Sequence, residues 1–185
     1  MEFIRSTIVN RYAPAADEVV TFDLPVNPVS LIAVTVFADQ TAAGNLTHPL
    51  GLCDMVTNCE LLYRESAIVS GPLSHLAAVY RSLTGNNVMQ GQIEVTENNV
   101  SWVTVPIMLG RQAYDPAECF FMTKRGEFKI RLTLDIATTN FDGLEVSVES
   151  LELLNAQPDK HLRYNNLVFT PAAVGEHDVD IPQNG

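Results

Sequence analysis

The segment 126–138 constrains this chain more than any other feature. Phe128, Ile130, Leu132, Leu134 and Ile136 fall on one side of it, and Lys129, Arg131, Thr133 and Asp135 on the other. Successive side chains of a β-strand point to opposite faces, so a period of two marks a strand with one face buried and one face wetted. Antiparallel sheets are built from such strands. From Gly143 the pattern repeats in Leu144, Val146 and Val148, then slips phase at Glu149 and Ser150 ahead of Leu151 and Leu153, as a β-bulge would require. The intervening 139–143, Thr-Asn-Phe-Asp-Gly, is expected to join the two strands as a hairpin.

Other segments carry the same signal. In 18–24, Val19, Thr21 and Asp23 alternate with Val20, Phe22 and Leu24, and Pro25-Val26-Asn27-Pro28 kinks the chain into 29–38. That run is apolar on both faces, which suits a central strand covered on each side or one inserted between sheets. Residues 100–109 form another strand, whose Pro106 cannot donate to a ladder and so belongs at an edge or a bulge. Residues 60–69 and 91–96 read as shorter strands, 3–9 as a first one and 162–169 as a last one. A single helix follows Gly71-Pro72, with Pro72 at its first position. Leu73, Leu76, Ala77, Tyr80 and Leu83 recur at helical spacing, Arg81 sits in the last turn, and Gly85 ends it. Asn86-Asn87 and Asn98-Asn99 are turn signals on either side of the next strand.

About eight strands, one short helix in a crossover and no strand–helix alternation predict an all-β antiparallel β-sandwich rather than an α/β fold. The single jelly roll, two four-stranded sheets, fits best. Residues 1–157 are expected to form this domain and 158–185, rich in proline, glycine and asparagine, an extended C-terminal tail.

Composition removes several function classes. With 185 residues, 46% of them hydrophobic, the chain can bury a real core, which excludes a disordered acidic protein. The longest apolar runs fall short of the ~20 residues of a membrane span. The start, Met-Glu-Phe-Ile-Arg-Ser-Thr-Ile, lacks an apolar signal core, so export is not expected. A net charge of -11 argues against direct nucleic-acid binding, which needs clustered Lys and Arg. Cys53, Cys59 and Cys119 are odd in number and read as free thiols of a reducing compartment, although the spacing of Cys53 and Cys59 leaves a disulfide open.

Catalytic and cofactor motifs are missing or weak. There is no dinucleotide or P-loop glycine pattern and no G-x-S-x-G elbow. His48, His75, His161 and His177 are isolated, without the paired histidines of a metal-binding cupin. Ser74 and His75 are adjacent on the helix and point in different directions. Asp115 and Glu118 could face each other as a glycosidase pair or a calcium site, or simply build an Asp-Pro turn. Residues 176–180, Glu-His-Asp-Val-Asp, offer at most weak cation binding. Asn45-Leu46-Thr47 and Asn99-Val100-Ser101 match the glycosylation pattern, which has no meaning for an unexported chain. No enzyme activity, cofactor or metal is expected.

The most informative stretch outside the core strands is the connection 110–126. It brings Arg111, Lys124 and Arg125 together with Tyr114, Asp115, Phe120 and Phe121, in a chain that has only 11 basic residues. Either the apolar residues cover the end of the sandwich and the charges stay solvated, or, since aromatic residues and arginine are enriched at interface centres, these seven are the candidate subunit-contact residues.

The order of strands, a helix after the fourth strand, a long loop with Tyr114-Asp115-Pro116, a strong strand pair and an irregular tail resembles viral single jelly-roll capsid proteins. The likeness is to the small capsid proteins of icosahedral internal-membrane phages and archaeal viruses. It covers about residues 1–170, with Phe22-Asp-Leu-Pro-Val-Asn-Pro28 and the 110–126 loop as its nearest motifs. The resemblance implies a non-enzymatic virion structural protein, made in the host cytoplasm, that self-associates into a capsid or particle component and contacts other virion proteins. A carbohydrate-binding sandwich module, needing a row of exposed aromatics, and a sandwich hydrolase using Asp115 and Glu118 are the alternatives.

Overall fold

The structure is a computed structural model that describes residues 2–40, 49–93, 100–136, 138 and 140–166. Among the described residues ten strands form two sheets packed face to face. One has the order β1-β9-β3-β7-β6, the other β10-β5-β4-β8-β2. The strands are β1 (Glu2–Tyr12), β2 (Glu18–Asp23), β3 (Val29–Gln40), β4 (Val56–Tyr63), β5 (Ser66–Gly71), β6 (Met89–Ile93), β7 (Val100–Met108), β8 (Phe128–Leu134), β9 (Phe141–Leu154) and β10 (Tyr164–Asn165).

The pairing is nested. β4 pairs antiparallel with β5, β3 with β7, β2 with β8 and β1 with β9, so the chain is one long hairpin folded over on itself. With β6 and β10 set aside, four strands remain in each sheet, β1-β9-β3-β7 and β2-β8-β4-β5, which is the jelly roll expected from the sequence. β6 adds to the first sheet beside β7, and β10 adds in parallel beside β5.

Four expectations need correction. First, β8 and β9 do not form a hairpin. β8 lies between β2 and β4 while β9 lies between β1 and β3, so the chain passes from one sheet to the other between Leu134 and Phe141. Second, 60–69 is two strands, because Arg64 and Glu65 both adopt positive φ (49° and 64°), the conformation of a tight hairpin turn that usually needs Asn or Gly. Third, β9 does not bulge at Glu149 and Ser150. Its pairing with β3 is regular from Glu145 to Leu151, and the irregularities sit near Gly143, whose φ is 64°, and at Ser30 of β3. Leu151 is therefore an outer-face residue opposite Leu31. Fourth, the helix α1 (Leu73–Thr84) has Pro72 as its N-cap rather than its first residue; Gly85 closes it, its N–H bonding to the Arg81 carbonyl. The 3-10 helix at Pro49–Met55 carried no sequence signal.

The core lies between the sheets. Ile32, Val34, Val36, Val103, Val105, Val146 and Val148 of one meet Cys59, Leu61, Ile130 and Leu132 of the other, all essentially without exposure. α1 closes the side of the sandwich against β7, burying Leu73, Leu76 and Ala77. β7 is interior to its sheet, but β6 stops opposite Thr104, so the flank at Pro106 has no ladder to interrupt. Of the last expected strand, Tyr164–Asn165 is formed, and residues from 167 onward lie outside the described residues, as do 94–99 of the expected 91–96 strand. The start of the tail is held on the sandwich: Asp159 N–H donates to the Ala117 carbonyl, Leu162 N–H to Leu109, and the Tyr164 hydroxyl to Met108.

Candidate interaction surface

The loop between β7 and β8 doubles back at once. A Cβ on Gly110 would lie 1.9 Å from the Glu118 carbonyl oxygen, so only glycine fits there. The return is fixed by charge: Arg111 Nε donates to both Glu118 carboxylate oxygens (2.9 and 2.8 Å), its NH2 nitrogen adds a further contact, and its backbone N–H donates at 3.2 Å. Lys160 of the C-terminal segment reaches the same carboxylate at 3.1 Å. The Glu118 side chain is only 6% exposed, and the Arg111 hydrogen bonds, helped by Lys160, hold its carboxyl down at about 2 against the opposing effect of desolvation.

Asp115 has a different task. Its Oδ1 accepts from the Ala117 N–H at 2.9 Å and its carbonyl from the Glu118 N–H at 3.3 Å, which is the Asp-Pro turn. A general acid needs a raised carboxyl pKa. Glu118 is shifted the other way, which does not suit it to the general-acid role, and its oxygens are engaged by Arg111 and Lys160. Ser74 and His75 are half-buried and exposed, respectively. Among the described residues no cluster of three His, Cys, Asp or Glu is placed to hold a metal; His48, His177 and 176–180 lie outside them.

Beyond Glu118 the chain dives into the end of the sandwich. Phe120 exchanges two backbone hydrogen bonds with Val29 (2.9 and 2.7 Å), and its ring is 0% exposed. It stacks on Phe121 (4.4 Å between centroids) and Phe128 (4.3 Å), with Tyr63 and His161 edge-on. Phe120 is thus a core residue, and its side chain is not available to a second subunit. Phe121 is half-buried, edge-on to Tyr63 at 5.0 Å.

The remaining candidates face outward at two places. Arg111 and Tyr114 lie over the outer face of the β1-β9-β3-β7-β6 sheet. Tyr114 has φ 71°, its N–H reaches Ser30 Oγ, and its half-exposed ring meets Phe3 edge-on at 5.2 Å. Lys124 and Arg125 are exposed just before β8, where the Lys124 N–H donates to Glu127 at 3.0 Å. Phe3, Met89 and Met122 are exposed apolar residues that the sequence reading did not single out. Strand periodicity assigned Phe3 to a strand but said nothing of what covers it.

Cys53, Cys59 and Cys119 are all free and buried. Burial pushes the Cys53 thiol up to about 12 and Cys119 up to about 11, and Cys59 is raised further still. Trp102 is not a core residue. It points to the outer face opposite Phe37, whose ring lies under the Arg11 guanidinium at 4.8 Å, and it packs against Gly91.

No protein-family model matches the sequence, and no curated protein matches it. The fold is similar to the crystal structure of the STIV major capsid protein, with a TM-score of 0.56 and 13% sequence identity over 83% of this chain and 49% of that one. The chain therefore spans about half the length of that capsid protein. At this identity the likeness is one of fold. No helix among the described residues is long and apolar enough to cross a membrane.

Proposed function

We propose that this chain is a non-enzymatic virion structural protein whose copies associate with one another, and with other virion proteins, into a capsid or a symmetric particle component. It is made in the host cytoplasm and resides in the virion. The observation that carries this reading is the nested jelly roll, shared in fold with a viral capsid protein. The buried loop carboxylate Glu118 is spent on holding a loop in place. Residues 1–157 are the body that makes the contacts, and 158–185 is its extension. Arg111, Tyr114, Lys124 and Arg125, with the edge of Phe121, supply subunit contacts through the outward parts of the loop. Each specific contact buries about 1,000 Å² or more, and a closed assembly repeats it at every copy.

The test is Tyr114→Ala combined with Arg125→Ala. Both side chains are exposed, so the variant is expected to fold as the parent does. Interface anchors of these types often cost 2 kcal/mol or more, roughly thirtyfold in affinity, so assembly should fail while the subunit stays soluble. A double variant that builds normal particles removes this loop from the contact.

A further inference from the structure

β3 reads in sequence as a strand covered on each side or inserted between sheets, and the described residues close over only one of its faces. Ile32, Val34 and Val36 enter the core, while Leu31 and Ala33 on the opposite side form the floor of an open groove with Pro106, Met108 and Leu151. The groove holds about 450 Å³. Met89 and Tyr80 form one wall and Tyr114 the other. Beside that second wall stands an exposed aromatic knob, Phe3 (58% exposed) edge-on to Tyr114 (49% exposed).

We propose that the outer face of the β1-β9-β3-β7-β6 sheet is where a second copy of this chain docks, each copy's Phe3–Tyr114 knob entering the other's groove. This rests on the self-associating reading above and names the surface and the partner. Two observations favour a copy over a different protein. Knob and groove are neighbours on one face, so a twofold axis that lies between two facing sheets, parallel to them, and passes between knob and groove sets each knob over the opposite groove, the self-complementary arrangement of an isologous dimer. Charge points the same way. The chain carries a net charge of -11, yet the charged side chains that line the groove pair off, Arg5 with Glu149 and Arg111 with Glu118, while the acids Asp39 and Asp142 stand at the far end of the face. An equally acidic copy meets paired charges at the groove itself, whereas a basic partner would be drawn to the acidic remainder of the surface.

The size is adequate. Buried aromatic side chains cover roughly 150–250 Å² each, so the half-exposed Phe3, Tyr114 and Met89 of two copies contribute roughly 600 Å² before the sheet floor is counted, toward the roughly 1,200 Å² of a specific contact.

The experiment compares self-association of the full-length parent, Met89→Asp and Val19→Asp by analytical ultracentrifugation. Met89 and Val19 are each 60% exposed, and Val19 lies on β2 of the other sheet, so both variants are expected to fold. Met89→Asp should weaken association about tenfold or more, and Val19→Asp should leave it unchanged. Mixing Phe3→Cys with Met89→Cys under mild oxidation should join the two variants in a covalent dimer. Parent-like association of Met89→Asp, or no mixed covalent dimer, overturns the proposal. If Met89→Asp still assembles into normal particles, this face fails while the shell reading stands; a parent that neither pairs nor assembles brings down both.

Discussion

Replacing Phe120 by alanine tests the division of the loop into an inward and an outward part. The ring has no exposure and is enclosed by Phe121, Phe128, Tyr63 and His161 at centroid distances of 4.3 to 5.5 Å. Phe→Ala in a core costs about 3–5 kcal/mol, and two stacked plus two edge-on ring neighbours place Phe120 at the upper end, about 4–5 kcal/mol. At about 2–4 °C per kcal/mol for a domain of this size, the melting temperature should fall by roughly 8–20 °C. Urea unfolding followed by circular dichroism reads the change directly: the midpoint should drop while the slope stays constant, since the surface exposed on unfolding is nearly the same. Tyr114→Ala, in the same loop but half-exposed, should change stability by no more than about 1 kcal/mol. A Phe120→Ala cost below about 1 kcal/mol, or equal costs at the two positions, would refute the placement of Phe120 in the core.

Gly110→Ala should destabilise the subunit by about 3 kcal/mol or more in the same assay, because the new Cβ would meet the Glu118 carbonyl oxygen at 1.9 Å and Glu118 is held in place through its carboxylate by Arg111; a neutral result would contradict the loop's path. All three thiols should stay unreactive toward a disulfide reagent at about pH 8 in the folded protein and react fully in urea, since each is buried with a raised pKa; rapid labelling of any thiol in the native state would contradict its burial. Burial first, and Arg163 second, lower the His161 pKa below its ordinary 6.5 in the folded state. The unfolded chain then takes up the proton first, so stability is complete above about pH 6.5 and is lost as pH falls toward the folded value. The urea midpoint should drop between about pH 7.5 and about pH 5.5 in the parent and drop less in His161→Gln; equal pH dependence in both would exclude His161 as the source.

Much of the fold could be read from the sequence because a sandwich buries one face of each strand, and alternation records that burial residue by residue. β8 is the clearest case: Phe128 to Leu134 alternates in the structure as it does in the sequence. What alternation does not encode is the neighbour. β8 and β9 are adjacent in the chain and both strong, which suggested a hairpin, yet they belong to different sheets. The β4–β5 turn was missed because Arg64 and Glu65 take up left-handed conformations without the residues that normally announce them. Composition located the candidate surface but not its direction. Phe120 turns inward because of its pairing with Val29, and Glu118 is claimed by Lys160, both contacts between residues far apart in the chain. The groove is illegible in the sequence for a related reason: the apolar outer face of β3 calls for a cover, and only the structure shows that the described residues leave it open.

Self-association is the central claim, and sedimentation velocity of the purified full-length chain, run from about 1 to about 100 μM, tests it most directly. The account predicts a mass that rises with concentration through multiples of 20.3 kDa toward a closed particle. A single species of 20.3 kDa across the whole range would contradict it.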